Sequence, residues 1–257
     1  MTPGELDFAD VALRLHEARQ SATPTQFITR TFRDLSWTDA RAIALITDQL
    51  RVDDGETQIG WKLGWTSEAM RTALGIDRPN WGTLWDTQVL DDALALRQYI
   101  HPKIEPELVW RSPTDLPSSI TTAGLADLGG EWALGLEVVD PRFPSFDFDA
   151  LDNTADNSSS AAVLMSEFHQ INVDPAEVAV AFTDDTTTYS GEGSQAMSSP
   201  LVAVAWLVRS LAEEGLHVRQ GDIVFTGGLT APFDATVGAT YRLSSPAFED
   251  AVTLTVR

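Results

Sequence analysis

HPKIEPELVW, residues 101–110, carries Ile104, Glu105, Pro106, Glu107 and Leu108 in the period-two alternation of a β-strand. In a strand Glu105 and Glu107 project from one face. Pro106 between them has no N–H to give to a ladder, so the stretch is expected at a sheet edge or a bulge. Two carboxylates on one face repel each other, and a cation is needed to compensate: an Arg, a Lys or a metal ion. Hard oxygen ligands favour Mg²⁺ or Mn²⁺ over Zn²⁺.

Similar short β-like runs lie on both sides: Ile59–Trp65, Trp132–Val139, Val178–Phe182, Asp222–Thr226, Thr240–Leu243 and Val252–Val256, separated by Gly, Pro, Asp and Ser clusters. In WALGLEVVDPRF, residues 132–143, Glu137 interrupts an apolar run, so it is either on a solvated face or buried with a partner. In IGWKLGWT, residues 59–66, Lys62 sits among Trp61, Leu63 and Trp65. A lysine in such surroundings either snorkels to the surface or meets a carboxylate or an anionic ligand. The polar stretch Asp147–Ser160 reads as a linker or a binding loop.

Helical spacing governs the first fifty or so residues. Phe8, Val11, Ala12 and Leu15 share one face, and Ser36 with Asp39 forms a capping-box pattern ahead of Ala40, Ile43, Ile46 and Leu50. A short helix is expected from Ser67 to Leu74 with Gly75 as its stop, and a longer one from Pro200 to Gly215. The fold class is therefore α+β: an N-terminal helical region, residues 1–56, followed by a β-rich catalytic domain, residues 57–257.

The chain has 257 residues, no cysteine and a formal net charge of −21. The missing cysteine excludes disulfides, thiolate metal sites and a cysteine nucleophile. The acidic surface repels phosphate backbones and anionic headgroups, so neither nucleic acid nor membrane is expected as a partner. It would repel an anionic substrate as well, unless a cation sits in the pocket. The first twenty residues are acidic and lack an apolar core segment, and no run approaches the length of a membrane span, so the expected location is cytoplasmic.

Six segments in order resemble the 2-keto-4-pentenoate hydratase / 4-oxalocrotonate decarboxylase family, within the fumarylacetoacetate hydrolase superfamily. IGWKLGWTSEAM (59–70) is similar to its G-x-K-[IL]-G-x-T-S, RPNWGTL (78–84) to P-D-[FY]-G-x-L, and IHPKIEPELVW (100–110) to P-x-[IV]-E-x-E-[IL]. LGLEVVDPRF (134–143), ADNSSSAAVLM (155–165) and GDIVFTGGLTAPFDATVG (221–238) are similar to A-x-E-[IV]-V-D-S-R-[IF], A-D-N-A-S-S-x-x-x-V-L-G and G-D-[IV]-V-x-x-G-[AS]-L. The resemblance implies a β-rich roll of the superfamily's C-terminal-domain type and a homo-oligomer. It implies that Glu105, Glu107 and Glu137 coordinate Mg²⁺ or Mn²⁺ and that Lys62 projects into the pocket, where it is the candidate catalytic residue for a proton-transfer or charge-stabilising role. It also implies that the loop with Asp156, Asn157, Ser159 and Ser160 binds the carboxylate of a small 2-oxo acid, with Leu84 and Trp81 of the 78–84 segment beside it.

The activity implied is a hydratase-like lyase acting on a 2-hydroxy-2,4-dienoate through an enolate. Decarboxylase, tautomerase and C–C hydrolase chemistry, or a homologue without catalysis, remain open alternatives. Asn80 stands where the family carries Asp, and an amide cannot transfer a proton, so an acid or base at that point is lost or moved. Ser158 replaces Ala, Pro141 replaces Ser, and Ser198 stands where Gly is usual. Trp61, Trp65, Trp81 and Trp85 are either core fillers or the wall of a pocket shaped for a bulkier substrate. A hydrolase would be expected to use one of His16, His101, His169 and His217 paired with an acid, and neither His16 nor His217 lies in an evident catalytic motif.

Overall fold

The computed structural model describes residues 6–257; the part of the N-terminal region before residue 6 lies outside the described residues. Three helices come first: α1 (Phe8–Ser21), α2 (Ile28–Thr31) and α3 (Trp37–Asp53). Asp7 caps α1 by accepting from the N–H groups of Ala9 and Asp10, and Ser36 with Asp39 forms the expected capping box on α3. There follow β1 (Gln58–Gly64), α4 (Glu68–Leu74), β2 (Asn80–Trp85), β3 (Ala93–Leu94), β4 (Lys103–Arg111), α5 (Thr122–Leu128), β5 (Glu131–Val139), α6 (Ala150–Ala155) and β6 (Ser160–Met165). The chain closes with β7 (Ala179–Thr183), β8 (Thr188–Glu192), α7 (Pro200–Glu213), β9 (Ile223–Phe225), β10 (Phe233–Asp234), β11 (Thr240–Ser244) and β12 (Val252–Val256).

The strands form two sheets. The larger runs β2-β1-β9-β4-β5-β6, with β10 paired to one end of β4. The smaller runs β3-β12-β11-β7-β8. Both are mixed, since β1 pairs β9 and β12 pairs β3 in parallel while the other pairs are antiparallel. Their facing sides, with Leu207 and Leu211 of α7, build the main core. From β4 that core takes Ile104, Leu108 and Trp110, and from β5 it takes Leu134, Leu136 and Val138. Alternation then sends Glu105, Glu107 and Glu137 to the other side of the large sheet.

Pro106 does not mark an edge. β4 is an interior strand, paired to β5 along its whole length and flanked on its other side by β9 and β10. Leu229 N–H donates to the Pro106 carbonyl, so residue 106 turns its backbone polar groups toward the gap between β9 and β10. The ring costs the ladder nothing there because no strand partner faces it.

The stretch Asp147–Ser160 is not a linker. It contains α6, and residues 152–160 are buried. Asp152 accepts from the backbone N–H groups of Ile28 and Thr29 at 2.7 and 2.9 Å, which caps α2. Val11, Leu15, Phe27 and Ile43 of the helical region pack with Phe143 and Ala155. The N-terminal helices thus clamp the chain between β5 and β6, the segment that reaches the glutamate face. Among the described residues, no helix is long and apolar enough to cross a membrane.

Candidate active site and metal centre

The register of β4 on β5 sets Glu105 directly opposite Glu137 and Glu107 opposite Gly135. Like charges face to face destabilise a sheet, so this pairing needs a counter-charge. One carboxylate oxygen from each of Glu105, Glu107 and Glu137 lies within 4.8 Å of the others. Glu107 and Glu137 are fully buried, while half-buried Glu105 lines a cavity of about 810 Å³. Lys62 reaches the cluster from β1, across the intervening β9, and is 2% exposed. Its Nζ lies 3.2 Å from Glu137 Oε2, in ion-pair range but outside hydrogen-bond geometry. It donates to the Ser158 carbonyl and to Ser158 Oγ, each at 3.1 Å.

Glu107 is fixed by the backbone. Gly227 N–H donates to its Oε2 at 2.7 Å. Gly227 has φ +112°, and a Cβ there would sit 2.0 Å from Thr66 Oγ1, so only glycine places that donor.

Burial raises all three carboxyl pKa values. At Glu107 the shift is large, because Glu137 and Glu105 push the same way as desolvation. Glu105 is also raised, with Lys62 and Lys103 opposing. Glu137 rises to about 7, driven by burial and held back by Lys62. Three carboxylates against one ammonium leave a local excess of negative charge that a dication would neutralise. Glu107 Oε1 and both carboxylate oxygens of Glu137 are buried without a hydrogen-bond donor. Unpartnered buried acceptors, an all-oxygen donor set and that excess negative charge fit a hard divalent cation.

A left-handed turn completes the wall. Asn157, Ser158 and Ser159 have φ of 51°, 53° and 55°. Three successive non-glycine residues in this region cost about 1–2 kcal/mol each. The surroundings hold them: Asn157 accepts from Thr83 N–H at 2.7 Å and donates to the Thr83 carbonyl at 2.9 Å. Ser158 Oγ donates to Asn80 Oδ1 at 2.9 Å, and Ser159 Oγ accepts from Asn153 Nδ2 at 2.7 Å. The turn brings Ser158 and Ser159 to the cavity.

The expected site residues therefore separate. Glu105, Glu107, Glu137 and Lys62 converge, and Ser159 lines the cavity. Asn80 is buried one layer behind, held by Ser158 and by Asn153 Oδ1, to which its amide donates at 2.8 Å. The remaining five are absent from the cavity wall, where the resemblance implied substrate contact. Asp156 forms a buried ion pair with Arg142 at 2.5 Å, and Ser160 Oγ accepts from Gln88. Asn157 braces β2, Leu84 is core, and Trp81 meets Trp61 edge-on with Arg41 over its ring at 3.5 Å. Of the four tryptophans singled out, Trp61, Trp81 and Trp85 are core and Trp65 lines the cavity. No described histidine lines it; His16 pairs with Asp54 among the N-terminal helices. Ser158 and Asn153 were missed as individual contacts. The departure at position 158 was the available signal for Ser158; Asn153 had none.

No family model matches the chain. It is 32% identical over 239 residues to 2-keto-4-pentenoate hydratase of Paraburkholderia phymatum, with 90% of each chain covered. It is 26% identical over 235 residues to 4-oxalocrotonate decarboxylase of a Pseudomonas species, covering 90% of this chain and 91% of that one. In structure it is similar to 4-oxalocrotonate decarboxylase from Pseudomonas putida G7 complexed with magnesium and adipate, with a TM-score of 0.93 and 24% identity over 98% of this chain and 99% of that one. That likeness establishes the α+β fold.

Proposed function

The chain belongs to the 2-keto-4-pentenoate hydratase / 4-oxalocrotonate decarboxylase family, and on that premise we propose that it is a Mg²⁺- or Mn²⁺-dependent, hydratase-like lyase acting on a 2-hydroxy-2,4-dienoate. The observation that carries the reading is the buried triad Glu105, Glu107 and Glu137, whose oxygens lie within 4.8 Å of one another beside a cavity. These residues would hold the metal. When bound, a hard dication supplies a grip on the 1-carboxylate and 2-oxygen of the substrate and stabilises the negative charge that builds on the 2-oxygen.

The protein's own groups do the rest. Glu107 is oriented by Gly227 N–H, and Glu137 is charge-balanced by Lys62. Lys62 Nζ would hold a proton at the cavity wall beside Glu137, with two oxygens of Ser158 fixing its direction. The hydroxyl protons of Ser158 and Ser159 are already given to Asn80 and Asp156, so these serines would shape the cavity wall, with Ser158 holding Lys62, rather than donate to the substrate carboxylate, and the apolar walls would limit water to what the reaction consumes. Protonation of the dienol carbon and conjugate addition of water would yield a 4-hydroxy-2-oxo acid.

The test is the loss of ultraviolet absorbance of freshly generated 2-hydroxypenta-2,4-dienoate. Turnover is expected with Mg²⁺ or Mn²⁺, and none with chelator or in Glu107→Gln. Equal turnover with and without chelator would contradict the reading.

A further inference from the structure

The cavity is larger than a short dienoic acid needs. Its volume of about 810 Å³ lies in the range of about 300–1,000 Å³ that drug-sized ligands occupy. Apart from the glutamate cluster, much of its wall is apolar: Trp37, Trp65, Met70, Phe146, Phe148 and Leu151.

The charged groups that also line it are already matched. Lys103 Nζ lies 2.6 Å from Asp234, Asp77 lies 3.3 Å from Arg78, and Asp149 caps α6 through Leu151 N–H. Beyond Lys62, no described lining residue offers an unpaired cation to a second carboxylate.

Trp65 is the bulky residue of this wall with a left-handed backbone, a conformation it shares there with Ser158 and Ser159. Its φ is 54°, a left-handed conformation in which a bulky side chain is an outlier. Arg71 Nη1 holds it there by donating to the carbonyls of Trp65 and Thr66 at 2.6 and 2.9 Å. A strained backbone kept by its surroundings at a cavity wall marks a functional position.

We propose that Trp65, fixed by Arg71, is a specificity-determining residue that packs against a bulky, neutral, apolar tail, aryl in the first instance, on a monocarboxylic 2-oxo or 2-hydroxydienoic acid. The inference rests on the metal-anchored reading above and adds the far end of the substrate to it. Arg71 is a positioning residue acting through Trp65.

The test uses saturated 2-oxo acids that can be gripped but lack the dienol. Binding of 2-oxopentanoate, 2-oxoadipate and 2-oxo-6-phenylhexanoate to the Mg²⁺-loaded protein is measured by calorimetry. The phenyl acid is expected to bind about tenfold or more tighter than 2-oxopentanoate, the gain from burying one aromatic ring. The dicarboxylate is expected to bind no tighter than 2-oxopentanoate.

Trp65→Gly suits the backbone conformation and removes the indole. It should weaken the phenyl acid about tenfold more than it weakens 2-oxopentanoate, and Trp65→Phe should recover most of that difference. A preference for the dicarboxylate, or equal affinity for all three acids, would overturn the inference and leave the metal site standing. A phenyl preference untouched in Trp65→Gly would remove Trp65 from the assignment. Binding of none of the three would overturn the metal-anchored reading and this inference with it.

Discussion

Lys62 and Asn80 each take their role from side chains distant in sequence, Glu137 and Ser158 for the lysine, Asn153 and Ser158 for the amide. The sequence placed Lys62 in apolar surroundings, which forced a choice between snorkelling and meeting a charge. The structure resolves it: the ammonium is 2% exposed and lies 3.2 Å from Glu137. Lys62→Met should cut the rate by on the order of 10²–10⁴, the usual share of a proton-transfer group. Mg²⁺ affinity should change far less, because the metal's three oxygen donors remain; an unchanged rate, measured beside a Mg²⁺ titration, would take Lys62 out of the mechanism. Asn80 could be recognised as a departure, but its consequence could not, because its partners Asn153 and Ser158 lie more than seventy residues away in sequence. Its amide donates to Asn153 Oδ1 while its oxygen accepts from Ser158. An aspartate would set oxygen against oxygen at Asn153. Asn80→Asp is therefore expected to cost about 1–3 kcal/mol in chemical denaturation, and a variant as stable as the parent would show that Asn153 turns over freely.

At the scale of elements, period-two and period-3.6 patterns found the long helices and most of the central strands. They failed where tertiary context decides. Pro106 predicted an edge, yet β4 is interior, because its missing donor faces the gap between two short strands. The polar stretch 147–160 reads as a linker or a binding loop, but its side chains cap and brace neighbours inside the fold: Asp152 on α2, Asp156 on Arg142 and Asn157 on β2. Three left-handed residues in succession have no signature in Asn-Ser-Ser, since serine does not favour that conformation. The turn survives because Asn157 bridges both backbone groups of Thr83. Asn157→Ala leaves that N–H and carbonyl buried and unpaired. It is expected to destabilise by about 2–6 kcal/mol, at about 1–3 kcal/mol per orphaned group. It should also lower activity by releasing Ser158 and Ser159 from the cavity wall. Full activity alongside lost stability would show that the turn serves the fold alone.

Over the whole molecule, the net charge of −21 and the buried triad work in the same direction. Glu105, Glu107 and Glu137 all have raised pKa values in the folded state, Glu137 to about 7. Between the ordinary carboxyl range and about 7, the folded metal-free protein therefore binds more protons than the unfolded chain. Its stability should fall as pH rises through that window. Asp48 and Asp156, each raised to about 6 by burial, add to the same slope. Mg²⁺ bound at the triad would relieve only the glutamates, so the gap in melting temperature with and without Mg²⁺ should widen with pH. At Mg²⁺ about 100 times its Kd the gain is about 2.7 kcal/mol; a gap that narrows with pH would speak against carboxylate ligation. The central claim is that three glutamates from two neighbouring strands hold one divalent ion. Anomalous diffraction from crystals grown with Mn²⁺ and oxalate tests it most directly. One strong peak is expected, bounded by Glu105, Glu107 and Glu137 with both ends of oxalate against it; a peak elsewhere, or none among those side chains, would rule out a shared ion.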